Sequence, residues 1–284
     1  MSLASTVRRL WSPPSYAGHN DRLECVCGTV RAEIPSHIWK VTDKEHDLIY
    51  PKYMYRCPEC KSFSAVNLYF PVEKYVEHSV DSMFIGDLKR SLNASRLDWI
   101  RERTDLPNSA VLYDLGSGEG CFSHTFAEAL PSSQVYAVEG DAKLEAKFYG
   151  SRANVTFVPM YVESFLEEAH AGLYPSADLM LITDVLEHVL DPEKVLSLMS
   201  RASRPGGYVY VTVPNSLTLM QDKQVEQRDV DWRHANRTCQ HLWMMTPDIV
   251  QRLVEKHFRV IGTSGYETDI RGDSIYTSIL AQLP

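Results

Sequence analysis

The alternation of short apolar runs with amphipathic runs from Ala110 onward is the feature that most constrains the fold. The first four of these runs are apolar along nearly their whole length, without alternating polar residues, which is typical of strands that are covered on both faces. The sequence therefore predicts a doubly wound, mostly parallel α/β sheet. The predicted strands are AVLYDLG (110–116), QVYAVEG (134–140), VTFVPM (155–160), ADLMLITDVL (177–186), YVYVTVP (208–214), FRVIGTSG (258–265) and SIYTSILAQ (274–282).

Helical periodicity lies between most of these runs, and one connection is too short for a helix. Only a turn around Gly272 separates the last two predicted strands, so they are expected to pair antiparallel. The predicted helices include GCFSHTFAEAL (120–130), DAKLEAKFYGS (141–151), DPEKVLSLMSRAS (191–203) and TPDIVQRLVEKH (246–257).

The first 75 residues differ from the rest in composition. They are interrupted by proline, carry four of the six cysteines, and contain 10 Lys and Arg against 8 Asp and Glu, whereas the whole chain has a net charge of −8. We therefore expect a zinc-binding N-terminal domain (1–75), a helical linker or lid (76–108) and a Rossmann-like domain (109–284) with an insertion at 216–245.

The stretch YDLGSGEGCFSH, residues 113–124, joins the first predicted strand of the sheet to a predicted helix. Ligands of parallel sheets bind at this edge, and glycine lets a ligand touch the backbone. The spacing D-x-G-x-G-x-G differs from the dinucleotide fingerprint, because Cys121 and Ser123 stand where its third glycine would fall. The pattern therefore predicts a ligand site and disfavours NAD.

Glu139 ends the second predicted strand, about twenty residues further on. A carboxylate at this point can accept hydrogen bonds from both hydroxyls of an adenosine ribose. The alternative is a helix cap before DAKLEAKF, although Asp141 is the better-placed cap.

Four motifs occur in order: VLYDLGSGEG, VYAVEGD, ADLMLITDVLEHVLDPEKVL and RPGGYVYVTVPN. Together they resemble the class I S-adenosylmethionine-dependent methyltransferases, specifically the ubiquinone-biosynthesis-like small-molecule subgroup, over roughly residues 80–284. The resemblance implies a seven-stranded sheet of order 3-2-1-4-5-7-6 with the last strand antiparallel. It also implies S-adenosylmethionine as the methyl donor.

The resemblance also implies roles for individual residues. Asp114, Gly116 and Gly118 would line the methionine end of the cofactor, and Asp184 would lie beside the sulfonium. Tyr161 stands where the family commonly has an acid that contacts the adenine amine, and Glu163 is a substitute for that acid. The implied cofactor-binding set is Asp114, Gly116, Ser117, Gly118, Glu139, Gly140, Tyr161 and Asp184.

Three histidines are candidates for a catalytic base. Methyl transfer from a sulfonium chiefly requires a positioned acceptor, and a base is needed only when an oxygen, nitrogen or carbon acceptor must lose a proton. His188 follows the fourth predicted strand, and His234 and His241 lie in the segment 216–245. The alternative for each is a structural histidine.

The segment 216–245 is far longer than the usual connection of about 4 to 6 residues. Its Trp, Arg and His residues suit a lid over a planar or anionic acceptor. The alternative is a lid whose aromatic side chains only pack down. The residues concerned are Trp232, Arg233, His234, Arg237, His241 and Trp243.

Cys25-Val-Cys27 and Cys57-Pro-Glu-Cys60 form two closely spaced cysteine pairs. Two such pairs can bind one structural zinc ion through four thiolates, and the alternative is four reduced core thiols. His19, His37 and His46 are candidates to replace a ligand. The arrangement resembles the N-terminal zinc-binding segment of bacterial sugar C-methyltransferases.

Charge and hydropathy limit the class of acceptor and the cellular location that the sequence predicts. The net charge of −8 disfavours nucleic acid, no apolar run reaches membrane-spanning length, and the N-terminal stretch MSLASTVRRLWSPPS lacks the apolar core of a signal peptide. We therefore expect a cytoplasmic enzyme that methylates a small molecule. The alternatives are methylation of RNA, with the cysteine segment as reader, and a non-catalytic S-adenosylmethionine-binding module.

Overall fold

The computed structural model describes residues 24–30, 37–43, 48–65, 87–150, 152–216, 241–263 and 276–284. Within these ranges the chain forms two β-sheets and a set of helices. The strands are β1 (His37–Asp43), β2 (Leu48–Arg56), β3 (Phe63–Ala65), β4 (Val111–Leu115), β5 (Gln134–Val138), β6 (Val155–Val158), β7 (Ala177–Thr183), β8 (Ser203–Pro214), β9 (Trp243–Met244), β10 (Arg259–Thr263) and β11 (Tyr276–Gln282).

The larger sheet has the strand order β10-β11-β8-β7-β4-β5-β6. The strands from β6 to β8 pair in parallel. By contrast, β11 is antiparallel to both of its neighbours, β8 and β10. Numbered within this sheet alone, the order is 3-2-1-4-5-7-6, so the predicted topology is confirmed. The glycine stretch therefore follows the central strand β4.

Helices cover both faces of this sheet. They are α1 (Asp87–Arg101), α2 (Cys121–Ala129), α3 (Val162–His170), α4 (Pro192–Ala202) and α5 (Pro247–Glu255). On β4, Leu112 packs with α1 and α2, while its neighbour Tyr113 packs with α3 on the opposite face. Both side chains are fully buried, as expected for a strand covered on both faces.

The predicted helix at 141–151 takes a different form. Glu145–Tyr149 is a single π-helical turn, and Gly150 ends it at φ 44°. A π turn redirects side chains relative to an α-helix, and such turns occur often at functional sites. Here the turn carries Tyr149 toward the glycine stretch, where its hydroxyl forms hydrogen bonds.

The smaller sheet joins parts of the chain that are distant in sequence. Its order is β1-β2-β3-β9, and β9 pairs with β3 through Phe63 with Met244 and Ser64 with Trp243. The predicted domain boundary near residue 76 lies outside the described residues. In the part of the chain that is described, no helix has the length and apolar character needed to cross a membrane.

Candidate functional site

The glycine loop, residues 116–120, has two kinds of glycine. Gly116, Gly118 and Gly120 all have positive φ angles, of 73°, 52° and 70°. A Cβ atom on Gly116 would lie 2.4 Å from Val185 Cγ2, and one on Gly120 would lie 2.6 Å from Tyr149 Cε1. Nothing lies within 4 Å of the corresponding position on Gly118. Two of the glycines therefore serve internal packing, and Gly118 exposes the backbone to open space that a ligand can enter.

Asp114 lies at the end of β4, directly before the loop. Its side chain is only 2% exposed, and Ser123 Oγ donates a hydrogen bond to its Oδ2 at 2.6 Å. Because Ser123 belongs to α2, this bond ties the strand to the helix that follows the loop. The carboxylate is thus held in one orientation beneath the glycines.

Glu139 follows β5 and contacts the glycine loop. Its Oε2 accepts a hydrogen bond from Gly118 N at 3.0 Å, and its Oε1 accepts one from Asp141 N at 3.1 Å. Burial raises the pKa of Glu139, and these two backbone donors act in the opposite direction. Each carboxylate oxygen has a second lone pair, so the group can still accept hydrogen bonds from two hydroxyls.

Tyr149 stabilises the glycine loop through hydrogen bonds of its hydroxyl group, and no sequence motif predicted this role. Its hydroxyl donates to Gly118 O at 2.7 Å and lies 2.7 Å from Ser117 Oγ. Burial raises the pKa of Tyr149 far above its ordinary range, which keeps the hydroxyl protonated as a donor. His124 Nε2 lies 2.8 Å from Phe148 O and fixes the π turn against α2.

Tyr161 and Gly140 lie together beyond Glu139. The Tyr161 side chain is 53% exposed, and a Cβ on Gly140 would lie 3.2 Å from its Cε1 atom. A larger residue at position 140 would therefore push the ring away. Glu163 lies in the first turn of α3, two residues after Tyr161.

Asp184 follows β7 in a strained conformation. Its φ of 58° lies in the left-handed region, which is uncommon for residues other than glycine, and its N–H donates to Thr212 O at 3.1 Å. Strain of this kind is often found at functional sites. The next residue, Val185, lies against Gly116, so Asp184 adjoins the glycine loop.

A second group of polar side chains lies just beyond Asp184. Glu187 is 1% exposed, and its Oε1 lies 3.8 Å from His188 Nε2 and 3.9 Å from His241 Nε2. The two imidazole rings have centroids 4.7 Å apart at an interplanar angle of 76°. The structure thus brings together two of the predicted histidines and adds Glu187 to them. The only sign of Glu187 in the sequence was its position directly before His188 in LEHV. His234 lies outside the described residues.

Backbone hydrogen bonds hold His241 beside His188. Leu242 N and Trp243 N both donate to Glu187 O, at 2.7 and 3.1 Å, and Trp243 Nε1 donates to Val189 O at 2.9 Å. Trp243 is fully buried. The alternative for the 216–245 segment was that its aromatic side chains only pack down, and Trp243 does so. A buried indole whose N–H is already bound is not available to stack on an acceptor.

The four cysteines of the N-terminal segment form one cluster. The Sγ atoms of Cys25 and Cys60 are 3.5 Å apart, those of Cys27 and Cys57 are 3.6 Å apart, and all four lie within 4.8 Å of one another. Gly28 and Lys61 have positive φ angles, which turn the chain after each pair. A hydrogen bond with the Cys25 thiol lowers the pKa of Cys60, which favours its thiolate form.

The cysteine cluster is connected to the histidines through the segment 242–246. Thr246 N donates to Ser62 Oγ at 3.2 Å, and Thr246 Oγ1 donates to Cys60 O at 3.4 Å. Ala65 N donates to Leu242 O at 2.7 Å. One face of this segment therefore binds the turn that carries Cys57 and Cys60, and its beginning binds the Glu187 backbone.

Comparison with known proteins identifies the family. The methyltransferase-domain family matches residues 89–257, which is more than half of the chain. This chain belongs to that family. The resemblance of its motifs to the class I S-adenosylmethionine-dependent methyltransferases is thereby confirmed.

Curated relatives of this methyltransferase include two ubiquinone biosynthesis O-methyltransferases. That of Hahella chejuensis is 32% identical over 126 residues, which cover 44% of this chain and 51% of the relative. That of Marinobacter nauticus is 33% identical over 131 residues, which cover 44% of this chain and 52% of the relative. The chain spans about half the length of the curated relatives it matches.

Solved structures share the fold at low sequence identity. The plantazolicin methyltransferase BpumL has a TM-score of 0.54 at 11% identity, covering 69% of this chain and 84% of its own. The N-methyltransferase NodS from Bradyrhizobium japonicum has a TM-score of 0.51 at 10% identity, covering 74% of this chain and 97% of its own. Both similarities concern the fold alone.

The support that Tyr149 gives to the glycine loop is testable by removing one oxygen atom. Tyr149→Phe keeps the ring beneath Gly120 but removes the hydrogen bonds to Gly118 and Ser117. We expect the free energy of unfolding in urea to fall by about 0.5 to 1.5 kcal/mol. Tyr161→Phe is the matched control, because its ring is exposed. Equal stability of Tyr149→Phe and wild type would contradict the assignment.

Proposed function

We propose that this methyltransferase transfers a methyl group from S-adenosylmethionine to a small-molecule acceptor. The observation that carries the proposal is the open space over Gly118, whose N–H is bound to the Glu139 carboxylate. A partly exposed loop backbone beside a half-buried acid, at the carboxyl ends of β4 and β5, suits a nucleoside-like cofactor.

The residues fit this cofactor in the order that the motifs predicted. Asp114, Gly116, Ser117 and Gly118 would hold its methionine end, since Asp114 is fixed beneath a loop whose backbone is open at Gly118. Glu139 would bind the ribose hydroxyls with its remaining lone pairs. Gly140 and the exposed ring of Tyr161 would border the adenine, and Asp184 would lie at the sulfonium. The bound cofactor supplies a methyl group that its sulfonium has already activated.

The acceptor would lie between Asp184 and the group formed by Glu187, His188 and His241. We propose that this group removes the proton of the acceptor, because two imidazoles there flank one buried carboxylate. His234 remains a predicted third candidate. Holding the acceptor in line with the methyl group is the larger part of catalysis. The close contact of Val185 with Gly116 holds the loop of Asp184 against the glycine loop, so the acceptor and cofactor sites would be adjacent.

We further propose that the four cysteines bind a structural zinc ion. The contacts of 3.5 and 3.6 Å between sulfur atoms approach the ~3.8 Å edge of a tetrahedral zinc–thiolate site. In this role the zinc would stabilise the turn at Cys57 and Cys60. That turn binds Thr246, so the metal would also stabilise the segment that presents His241.

Activity is tested with the purified chain, isotope-labelled S-adenosylmethionine and a panel of small phenols, amines and carboxylates. We expect label to pass to at least one acceptor class, and His188→Ala to lower kcat by about 10²- to 10⁴-fold with cofactor affinity retained. Tight cofactor binding without transfer to any acceptor would instead support a non-catalytic module.

The ribose contact is tested by calorimetric titration with S-adenosylmethionine. Glu139→Ala should weaken binding by more than about tenfold, because each hydrogen bond to a charged acceptor contributes roughly 1.5 to 3 kcal/mol. Glu145→Gln, an exposed acid on the neighbouring π turn, is the control. If Glu139→Ala bound S-adenosylmethionine as tightly as wild type does, Glu139 would not be a ribose contact.

The zinc proposal is tested by elemental analysis and thermal unfolding. Cys57→Ser should lose the bound zinc and lower Tm, and chelation of wild type should lower Tm until zinc is restored. Cys121→Ser should keep both its zinc and its Tm, because Cys121 lies at the start of α2, outside the cluster. A wild-type chain purified without metal, and equally stable with and without added zinc, would refute the site.

A further inference from the structure

Ser62 lies between the cysteine cluster and the segment that carries His241. It stands two residues after Cys60, and it is fully buried. Its Oγ accepts a hydrogen bond from Thr246 N at 3.2 Å, and its carbonyl oxygen accepts one from Cys57 N at 2.9 Å. We propose that Ser62 is a positioning residue that couples zinc binding at the four cysteines to the acceptor side of the site. The inference rests on the proposed zinc site and on the proposed function.

The cysteine turn holds both the backbone and the side chain of Ser62. The bond from Cys57 N to the Ser62 carbonyl closes the turn on itself. A hydrogen bond with the Cys25 thiol has the largest effect on the pKa of Cys60 and lowers it, and hydrogen bonds with the Ser62 side chain and backbone lower it further. A hydroxyl that donates to a thiolate still has lone pairs to accept from Thr246 N. The position of Ser62 therefore depends on the state of the cluster.

Thr246 gives its polar groups to the cysteine turn and not to its own helix. It is the N-cap residue of α5, where a threonine hydroxyl ordinarily accepts a hydrogen bond from the first turn, but its side chain forms no such bond. Its Oγ1 donates instead to Cys60 O at 3.4 Å, and its N–H donates to Ser62. Because Thr246 and Ser62 are both buried, a bond lost between them would leave a buried donor without an acceptor.

The segment 241–246 reaches the acceptor side of the site at its other end. Leu242 N donates to Glu187 O at 2.7 Å, and Trp243 Nε1 donates to Val189 O at 2.9 Å. Between these two ends the only regular structure is the two-residue strand β9, so the position of the segment is determined by its neighbours. A shift at the end of the segment would therefore displace His241 at its beginning.

The cofactor side of the site is held by a separate set of bonds. Glu139 accepts hydrogen bonds from Gly118 N and Asp141 N, and the Tyr149 hydroxyl binds Gly118 O and Ser117 Oγ. All of these bonds lie within residues 117–149. The coupling should therefore be selective: the order of the acceptor side depends on the cysteine cluster, and cofactor affinity does not.

Hydrogen–deuterium exchange of the full chain, measured by NMR at single amides, tests the coupling without an acceptor. Removal of zinc from wild type with a chelator should accelerate exchange at Leu242 and leave exchange at Gly118 unchanged. The decisive variant is Ser62→Ala, which keeps all four thiolates. At saturating zinc its Thr246 and Leu242 amides should exchange about 10-fold faster than those of wild type, because the Thr246 N–H has lost its acceptor.

Ser64→Ala is the matched control for Ser62→Ala. Ser64 is equally buried on the same strand, and its Oγ has no hydrogen-bond partner among the described residues. This variant should exchange as wild type does. Titration with S-adenosylhomocysteine should give equal affinities for wild type and both variants. With an acceptor found in the labelled-cofactor assay, Ser62→Ala should lower kcat/KM by up to about 10²-fold, because a small displacement of the acceptor side misaligns the reacting atoms.

The possible failures can be told apart. Wild-type exchange rates in zinc-loaded Ser62→Ala, or equal acceleration at Gly118, would overturn the coupling, and so would full activity of that variant, which would leave the proposed function intact. If Ser62→Ala does not fold, equal exchange at Leu242 in wild type with and without zinc would overturn it. A wild-type chain that binds no zinc would overturn the coupling together with the zinc site. Selective exchange in Ser62→Ala without methyl transfer by wild type to any acceptor would support the coupling and contradict only the proposed function.

Discussion

The carbonyl oxygen of Glu187 accepts backbone hydrogen bonds from Leu242 and Trp243, and the arrangement of the site depends on this junction. On one side it fixes the loop after β7, which carries Asp184 and His188. On the other it fixes the segment that carries His241 and continues into β9, the strand that completes the small sheet. The cysteine cluster and the carboxyl edge of the large sheet are therefore parts of one connected structure.

The glycine loop shows how one motif can meet several physical demands. The sequence suggests one reason for three alternating glycines, the close approach of a ligand. In the structure Gly116 makes room for Val185 and Gly120 for Tyr149, and only Gly118 faces open space. Internal packing thus brings Asp184 and the π turn against the glycine loop. Of the three glycines, only Gly118 at the centre of the loop leaves its backbone accessible to a ligand.

Much of the fold followed from periodicity, whereas the contacts between distant segments did not. The apolar strands and their antiparallel end were predicted from the sequence, since the two-residue and 3.6-residue periods and the length of a connection are local properties. The strand order was implied by the resemblance to the methyltransferase family. The pairing of β9 with β3 gave no such signal, because β9 is only two residues long and its partner lies far away in sequence. The predicted helix at 141–151 became a π turn because Tyr149 binds the loop and Gly150 ends the turn.

By itself the sequence determined the family and, through that resemblance, the topology of the large sheet. It also predicted Cys25-x-Cys27 and Cys57-x-x-Cys60 as candidate ligands and the motif residues from Asp114 to Asp184 as candidate cofactor contacts. Only the tertiary structure decided that His188 and His241 meet across the buried carboxylate of Glu187, and that Trp243 packs inward. The physical reason is the range of the interactions. Turns and strands are encoded within a few residues, but a cluster of polar side chains forms only where the packing of distant segments brings its members together.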